Sequence, residues 1–318
     1  MNITVVGLGA LGIVFATFLK KAGNTVYGIT KPEYLKDFEG RALKVTGIWG
    51  SHMSNLDGVL SDVSQIKDKS ELLIITVKSY DTEKVLEQIK PVISEKTLIL
   101  IAQNGYGNYE KAVEYFGKDK VLLARVIFGS KLIEKTHAHV TVNADNVQIG
   151  DPSHSIKTDR IKYVVETINN SGIPSSYSSE VYQFLWDKIL YNCALNPLGA
   201  LLECNYGQLA DNPETVKIMN NIIKEIFKTV QANNIKLRWK SSQDYINHFY
   251  NNLIPPTKNH FPSMYYDLKG GKKTEIDALN GAIVKLANKK GIPTPVNETI
   301  TSVIKFKEKN LYNKETGE

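Results

Sequence analysis

Cysteine is scarce in this chain: Cys193 and Cys204 are the only two among 318 residues. They fall close together, in or beside one apolar segment, and form neither a disulfide framework nor a metal-ligand spacing. Two core thiols in a reducing, cytoplasmic compartment are the expectation. Long hydrophobic runs are missing too, with nothing near the ~18 apolar residues of a membrane span. The opening MNITVVGLGALG shows no basic n-region and no small-residue cleavage pattern, so no secretory leader is expected. Charge excess is small. Thirty-nine Lys and Arg against 33 Asp and Glu leave +6, and the lysines are dispersed through KTHAH, KSSQ, GGKKT and NKKG. Without a basic stripe, nucleic acid is not an expected partner; a mildly positive surface suits a small anionic ligand. His137 and His139 in HAH share one side of an expected strand, but no third ligand lies nearby, so no metal is expected.

The composition, 42% hydrophobic and 23% charged, is that of an ordinary globular protein, long enough for two domains. The first half alternates apolar runs with helical patterns. Strands are expected at 2–7, 24–29, 72–77, 97–102 and 120–128, and helices at 10–22, 81–90 and 108–116. Continuous Val/Ile/Leu runs are the mark of strands covered on both faces, so this half predicts a doubly wound parallel sheet. Alternation in 131–150 predicts added antiparallel strands, followed by a helix near 155–170 and a short strand at 173–178. Beyond residue 180 only helical periodicity remains, at 180–202, 213–234, 241–252, 273–290 and 296–308. The fold class is therefore α/β, a Rossmann-type N-terminal domain (1–179) followed by an all-helical C-terminal domain (180–318). The polar tail from Glu308 is expected to fray, and the long helices of the second half are a candidate homodimer surface.

Between the first strand and the first helix lies GLGALG: Gly7, Leu8, Gly9, Ala10, Leu11 and Gly12. Gly7 permits the tight turn, Gly9 lets the backbone approach a pyrophosphate, and Gly12 allows close helix–strand packing. The helix N-terminus behind the loop offers N–H groups and partial positive charge to phosphates. NAD enzymes usually end the second strand on an Asp or Glu that holds the ribose hydroxyls. Here that strand ends VYGITKPE, with Thr30 and Lys31 at the turn and Glu33 farther on. An ammonium attracts a 2′-phosphate, so NADPH is the expected cofactor. Two more loops leave strands at the carboxyl edge: TVKSYDT carries Lys78, and AQNGYGN carries Asn104 just ahead of Gly105 and Gly107, which permit an unusual backbone path.

In WDKILYNCALNPLGA (186–200), Lys188, Asn192 and Asn196 recur every four residues and stack along one helix face among Trp186, Ile189, Leu190, Cys193, Leu195 and Leu198. A buried unpaired lysine is costly, so Lys188 must reach solvent, meet a carboxylate or serve a site. Glu275, expected in the first turn of a long helix where the dipole keeps it ionised, is a partner for it. Pro197 lacks an N–H, should bend the helix, and releases a carbonyl one turn back. Ser263 precedes another short helix.

Taken with TVKSYDT, QNGYGN, SMYYDLKGGKKTEIDALNG (263–281) and GIPTPVNET (291–299), these segments resemble ketopantoate reductase (2-dehydropantoate 2-reductase) almost end to end. The resemblance implies NADPH-dependent hydride transfer to the 2-keto carbon of ketopantoate, giving pantoate on the route to pantothenate and coenzyme A. It implies Lys188 as general acid with Glu275 beside it, substrate contacts from Asn104, Asn192, Asn196 and Ser263, and cofactor contacts from the glycine loop, Lys31, Lys78, Asn104 and Glu275. The sequence departs from the family pattern at LECNYGQL, where Tyr206 precedes Gly207 and the asparagine is Asn205, and at NHFP, with His260 and Pro262. These departures leave open a paralogue reducing another branched 2-keto acid. A non-catalytic dinucleotide sensor is the rival from another class; it has no reason to keep both Lys188 and Glu275.

Overall fold

In a computed structural model, which describes residues 1–66 and 69–316 with side chains as far as Asn310, the chain divides into two compact units. One comprises residues 1–104 and 108–182; the other comprises 105–107 and the chain from Gln183 onward. The first unit opens with β1 (Asn2–Val6), α1 (Ala10–Lys21), β2 (Thr25–Ile29), the short α2 (Leu35–Phe38), β3 (Leu43–Gly47), β4 (His52–Ser54) and β5 (Gly58–Leu60). It continues through β6 (Leu72–Ile75), α3 (Thr82–Ile89), β7 (Leu98–Ile101), α4 (Asn108–Phe116) and β8 (Val121–Arg125). The strands β9 (Phe128–Glu134), β10 (His137–Asn143) and β11 (Val147–Gly150), helix α5 (Thr158–Asn170) and β12 (Ser175–Tyr177) complete it.

The main sheet has the order β12-β11-β8-β7-β6-β1-β2-β5. All its pairings are parallel except β11 with β8. The chain leaves β1 toward β2 and β5, then returns to the other side of β1 as β6. That reversal places a ligand crevice at the carboxyl ends of β1 and β6. A second sheet, β4-β3-β10-β9, includes three strand pairings, of which β3 with β10 is parallel. The sequence reading left residues 35–66 without strands, because β3, β4 and β5 are short and lack the apolar continuity of the main sheet. Their consequence is visible in α1. Ile13 through Leu19 are all buried, because α1 packs on the small sheet as well as on β1 and β2. A helix apolar all round is a buried helix.

At the start of α1 the backbone is crowded. Gly7 has φ +103°, and a side chain there would sit 2.7 Å from Val77 Cγ1. A Cβ on Gly12 would collide with the Gly7 carbonyl oxygen and lie 2.8 Å from Thr76 Oγ1. Thr76 in turn donates its hydroxyl proton to that same Gly7 carbonyl at 2.7 Å. The Gly7 N–H donates to the Ile29 carbonyl at 2.9 Å, so the loop is pinned to the ends of β2 and β6 alike.

The second unit contains most of α6 (Val181–Leu202), then α7 (Tyr206–Asp211), α8 (Pro213–Ala232), α9 (Ser242–His248), α10 (Ser263–Lys269), α11 (Asn280–Asn288) and α12 (Pro295–Thr316). A π-helical turn, Phe249–Leu253, extends α9. α12 runs past the end expected near 308 to Thr316, and residues 317–318 of the tail expected to fray lie outside the described residues. No helix among the described residues is long and apolar enough to cross a membrane. The long helix expected over 273–290 is interrupted. Ile276–Ala278 form a 3-10 turn, Leu279 takes φ −106° and ψ −111°, and α11 starts only at Asn280.

Pro197 lies inside α6, which continues through it. Its missing N–H leaves the Cys193 carbonyl without a helical partner, and the side chain of Asn280 supplies one, donating from Nδ2 at 3.1 Å. The same Nδ2 donates to Asn297 Oδ1 at 3.0 Å. Asn297 Nδ2 donates to Glu225 Oε2 at 2.6 Å, and the Val296 and Asn297 N–H groups donate to the two Glu225 oxygens at 2.9 and 3.0 Å. A buried carboxylate thereby satisfies the N-terminus of α12, where the helix dipole favours negative charge. One chain of hydrogen bonds joins α6, α11, α12 and α8.

Two outcomes follow from this packing. Replacing Gly12 with Ala forces α1 off β1 and should destabilise the protein by about 2–3 kcal/mol, read as a lowered denaturation midpoint. Asn280→Ala orphans the Cys193 carbonyl and should cost about 2–4 kcal/mol. Adding Pro197→Ala returns a backbone donor to that carbonyl, so the double variant should lose less than the sum of the two single losses. Strict additivity in denaturant titrations would contradict the pairing.

Candidate active site

At the carboxyl edge of the main sheet, three loops of the first unit come together. Gly9 stands at the N-cap of α1 with no side-chain cap, and the first turn contains no acidic residue, while Lys20 and Lys21 occupy the last turn. A Cβ on Gly9 would meet nothing within 4 Å. The N-terminal end of α1 is thus uncapped, without an acidic residue in its first turn and open beside Gly9, which suits a phosphate. This cradle suits a dinucleotide pyrophosphate. Leu8 is buried in the core, whereas Ala10 and Leu11 are half-buried.

The loops carrying Lys78 and Asn104 are stitched together by residues that the sequence reading passed over. Gln103 Nε2 donates to the Val77 carbonyl at 2.8 Å and to Thr82 Oγ1 at 2.7 Å. The Thr82 hydroxyl donates to Asn108 Oδ1 at 2.8 Å, and Asn108 Nδ2 donates to the Asn104 carbonyl at 2.9 Å. Each member is a short polar side chain buried between two loops, a role with no sequence period to reveal it. Lys78 caps the 3-10 turn Ser79–Asp81 and is half-buried, as is Asn104. Lys31 lies exposed just past β2, yet it is engaged: its Nζ is 3.1 Å from Asp81 Oδ2. The hydrogen bond that Lys31 donates to Asp81, opposed by partial burial, raises the lysine above its ordinary range.

Gly105–Gly107, from the loop after Asn104, group with the helical unit. Gly105 has φ +88°, and a side chain there would press on Ala278. The Tyr106 N–H donates to the Ala278 carbonyl at 2.8 Å, and the Tyr106 ring lies 5.3 Å from that of Trp186. Ala278 belongs to the turn that Glu275 opens. Glu275 is buried at 9% exposure and caps a three-residue 3-10 turn instead of the first turn of a long helix. The expected macrodipole support is thus absent in that form. The turn is held otherwise: the Thr274 N–H donates to Glu308 Oε1 at 2.7 Å, and the Ile276 N–H to Thr274 Oγ1 at 3.2 Å.

On α6 the three stripe residues keep their order. Lys188 is half-buried, and Asn192 and Asn196 are 9% and 7% exposed. The neighbouring Asp187 is committed elsewhere, accepting from Trp239 Nε1 at 2.8 Å and from Arg238 at 3.1 Å. The Asn280 bond to the Cys193 carbonyl lies between the two asparagines and ties their helix to the segment led by Glu275. That donor was legible in principle, since a proline within a buried helix demands one. Ser263 opens α10 and is exposed.

Tyr206 and His260, the two departures, form one assembly. The Tyr206 hydroxyl donates to Asn196 Oδ1 at 2.8 Å, its ring lies 5.2 Å from His260, and its N–H donates to the His260 carbonyl at 3.1 Å. Asn205 is the N-cap of α7, in a reciprocal capping box with Gln208. Burial pushes Tyr206 well above its ordinary range and lowers His260, leaving a neutral phenol and favouring a neutral imidazole. Cys193 is fully buried and its thiol is likewise pushed up. His137 Nε2 and His139 Nδ1 both bond the Thr46 hydroxyl, at 2.8 and 3.0 Å. Among the described residues no group of three His, Cys, Asp or Glu is arranged to hold a metal.

The profile described as Ketopantoate reductase PanE/ApbA matches residues 3–154, and that of its C-terminal part matches residues 180–308. A 2-dehydropantoate 2-reductase of Aquifex aeolicus is 48% identical over 313 residues, covering 98% of either chain. The enzyme of the same name from Lactococcus lactis is 27% identical over 99% of this chain and 100% of that one. Among solved structures, a D-mandelate dehydrogenase with NADH and anilino(oxo)acetate superposes with a TM-score of 0.88 at 25% identity, covering 98% of this chain and 100% of the other. A PanE/ApbA family ketopantoate reductase from Ralstonia eutropha reaches 0.87 at 25% identity with the same coverage. With both halves of the chain matched in order and a relative nearly half identical along its whole length, this protein belongs to the ketopantoate reductase family.

Proposed function

We propose that the protein reduces 2-dehydropantoate to pantoate, with NADPH as cofactor and Lys188 as general acid. The observation that carries this reading is the buried polar stripe of α6, tied through the Cys193 carbonyl and Asn280 to the segment that Glu275 leads. The 48% identity to a 2-dehydropantoate 2-reductase supports the choice of substrate. The glycine loop and the uncapped N-terminus of α1 fit the pyrophosphate, and Lys78 and Asn104 border the same edge of the sheet.

Bound NADPH supplies the hydride. The work of the chain is to place the keto acid and manage charge and proton. As the 2-keto carbon is reduced, negative charge gathers on its oxygen, and the Lys188 ammonium stabilises that charge and donates the proton. Glu275, a carboxylate in the same unit, would orient the lysine and could contact the nicotinamide ribose. The Asn192 and Asn196 amides bind substrate without adding charge, and Ser263 contributes a hydroxyl. Because Tyr206 donates to the side-chain carbonyl of Asn196, the amide NH2 is the end of Asn196 that would donate to the substrate, which suits a carboxylate or hydroxyl oxygen.

A second reading, the same hydride transfer on another 2-keto acid, is favoured by the Tyr206–His260 assembly beside Asn196. A panel of ketopantoate, pyruvate, 2-ketoisovalerate, oxaloacetate and an aryl 2-keto acid, followed at the reduced nicotinamide absorbance, separates the two. Ketopantoate consumed far faster than the rest supports the main reading, and indifference supports the second. Lys188→Ala should lower kcat by about 10²-fold or more; near-normal turnover would remove the lysine from its role. Lys31→Ala should weaken NADPH more than NADH, as loss of a 2′-phosphate contact requires.

A further inference from the structure

The end of β2 lacks the carboxylate that holds ribose hydroxyls in NAD enzymes, but the fold brings one to the tip of the Lys31 side chain from the exit of another strand. Asp81 ends the 3-10 turn after β6, and its Oδ2 lies 3.1 Å from the Nζ of Lys31, the residue expected to meet a 2′-phosphate. Both ends of the pair are anchored. The Asp81 N–H donates to the Lys78 carbonyl at 2.9 Å, and the Thr30 N–H, just before Lys31, donates to the Leu60 carbonyl at 2.9 Å. The lysine side chain is 54% exposed and the aspartate 26%, so the pair lies open to an incoming ligand and is not sealed in the core.

We propose that Asp81 is a specificity-determining residue for the dinucleotide: its carboxylate accepts the ribose hydroxyls of NADH, so that the enzyme uses NADH alongside NADPH. This rests on the nicotinamide-dependent reading of the same site. The two cofactors meet the pair differently. A 2′-phosphate must draw Lys31 away from Asp81 and then lie near a carboxylate of its own sign, which penalises NADPH. A 2′-hydroxyl donates to Asp81 and leaves the ion pair whole. Exposed ion pairs are weak, so the phosphate can still displace the carboxylate, and the outcome is shared use instead of exclusion. Aspartate does here, from the exit of β6, what an acidic residue at the end of β2 does in NAD enzymes.

The test is direct binding of NADPH and NADH, without keto acid, to the wild type and to Asp81→Asn and Asp81→Ala, by calorimetry or nucleotide fluorescence at fixed ionic strength. In both variants NADPH should tighten and NADH weaken, moving the ratio of the two Kd values by about tenfold or more, the scale of a charge-assisted hydrogen bond. The ratio of kcat/KM values with a turned-over keto acid should move the same way. An unchanged ratio, or equal shifts for both nucleotides, overturns the role of Asp81 while leaving the cofactor reading intact. A wild type that binds neither nucleotide overturns both.

Discussion

A backbone carbonyl deprived of its helical partner has to find another donor, and in the helical unit the consequences of that one requirement reach four helices. Pro197 leaves the Cys193 carbonyl without a helical donor in a buried stretch of α6. Asn280 answers it and passes the connection to Asn297, which hands it to Glu225. Glu225 in turn satisfies the first N–H groups of α12. Cut anywhere, the chain leaves a buried polar group exposed to nothing, so the network is all or none. The proline therefore does more than interrupt a helix: it obliges the polar face of α6 to stay in register with the segment that begins at Glu275.

The first unit solves a related problem with small residues and hydroxyls. Gly12 and Gly7 let α1 and β1 meet at backbone distance, and the Thr76 hydroxyl holds the carbonyl trapped between them. Gln103, Thr82 and Asn108 then bind the neighbouring loops to one another. The result is an edge cross-linked by hydrogen bonds, to which the uncapped N-terminus of α1 adds positive potential beside Lys78. Lys31 and Asp81 sit at the rim of this edge as an exposed, exchangeable pair. Their weakness is what allows a ligand phosphate to compete.

Much of this was readable in advance, and the limits are instructive. The strands of the main sheet declared themselves through unbroken Val/Ile/Leu runs, and the helices of the second unit through their period. The edge strand β5 was an exception, and so was the first half of the small sheet, β3 and β4, because these strands are short and lack apolar continuity. The presence of the small sheet was nonetheless implied by α1, too apolar all round to have only one neighbour. Glu275 was placed on a continuous helix because its residue types permit one; the break at Leu279 is a backbone choice that composition does not express. Asn205 and Tyr206, which stood out only as departures, became a helix cap and a partner for Asn196 once their contacts were known.

By itself, the sequence determined the two-part architecture, the glycine loop and the spacing of Lys188, Asn192 and Asn196, because each depends on neighbours within a turn or two of chain. Tertiary structure alone decided which residue relieves Pro197, which hydroxyl supports Gly7, and that a carboxylate from the exit of β6 comes to rest on Lys31. Those partners are separated by tens of residues. Their pairing is set by strand order and helix packing, and no local propensity carries that information.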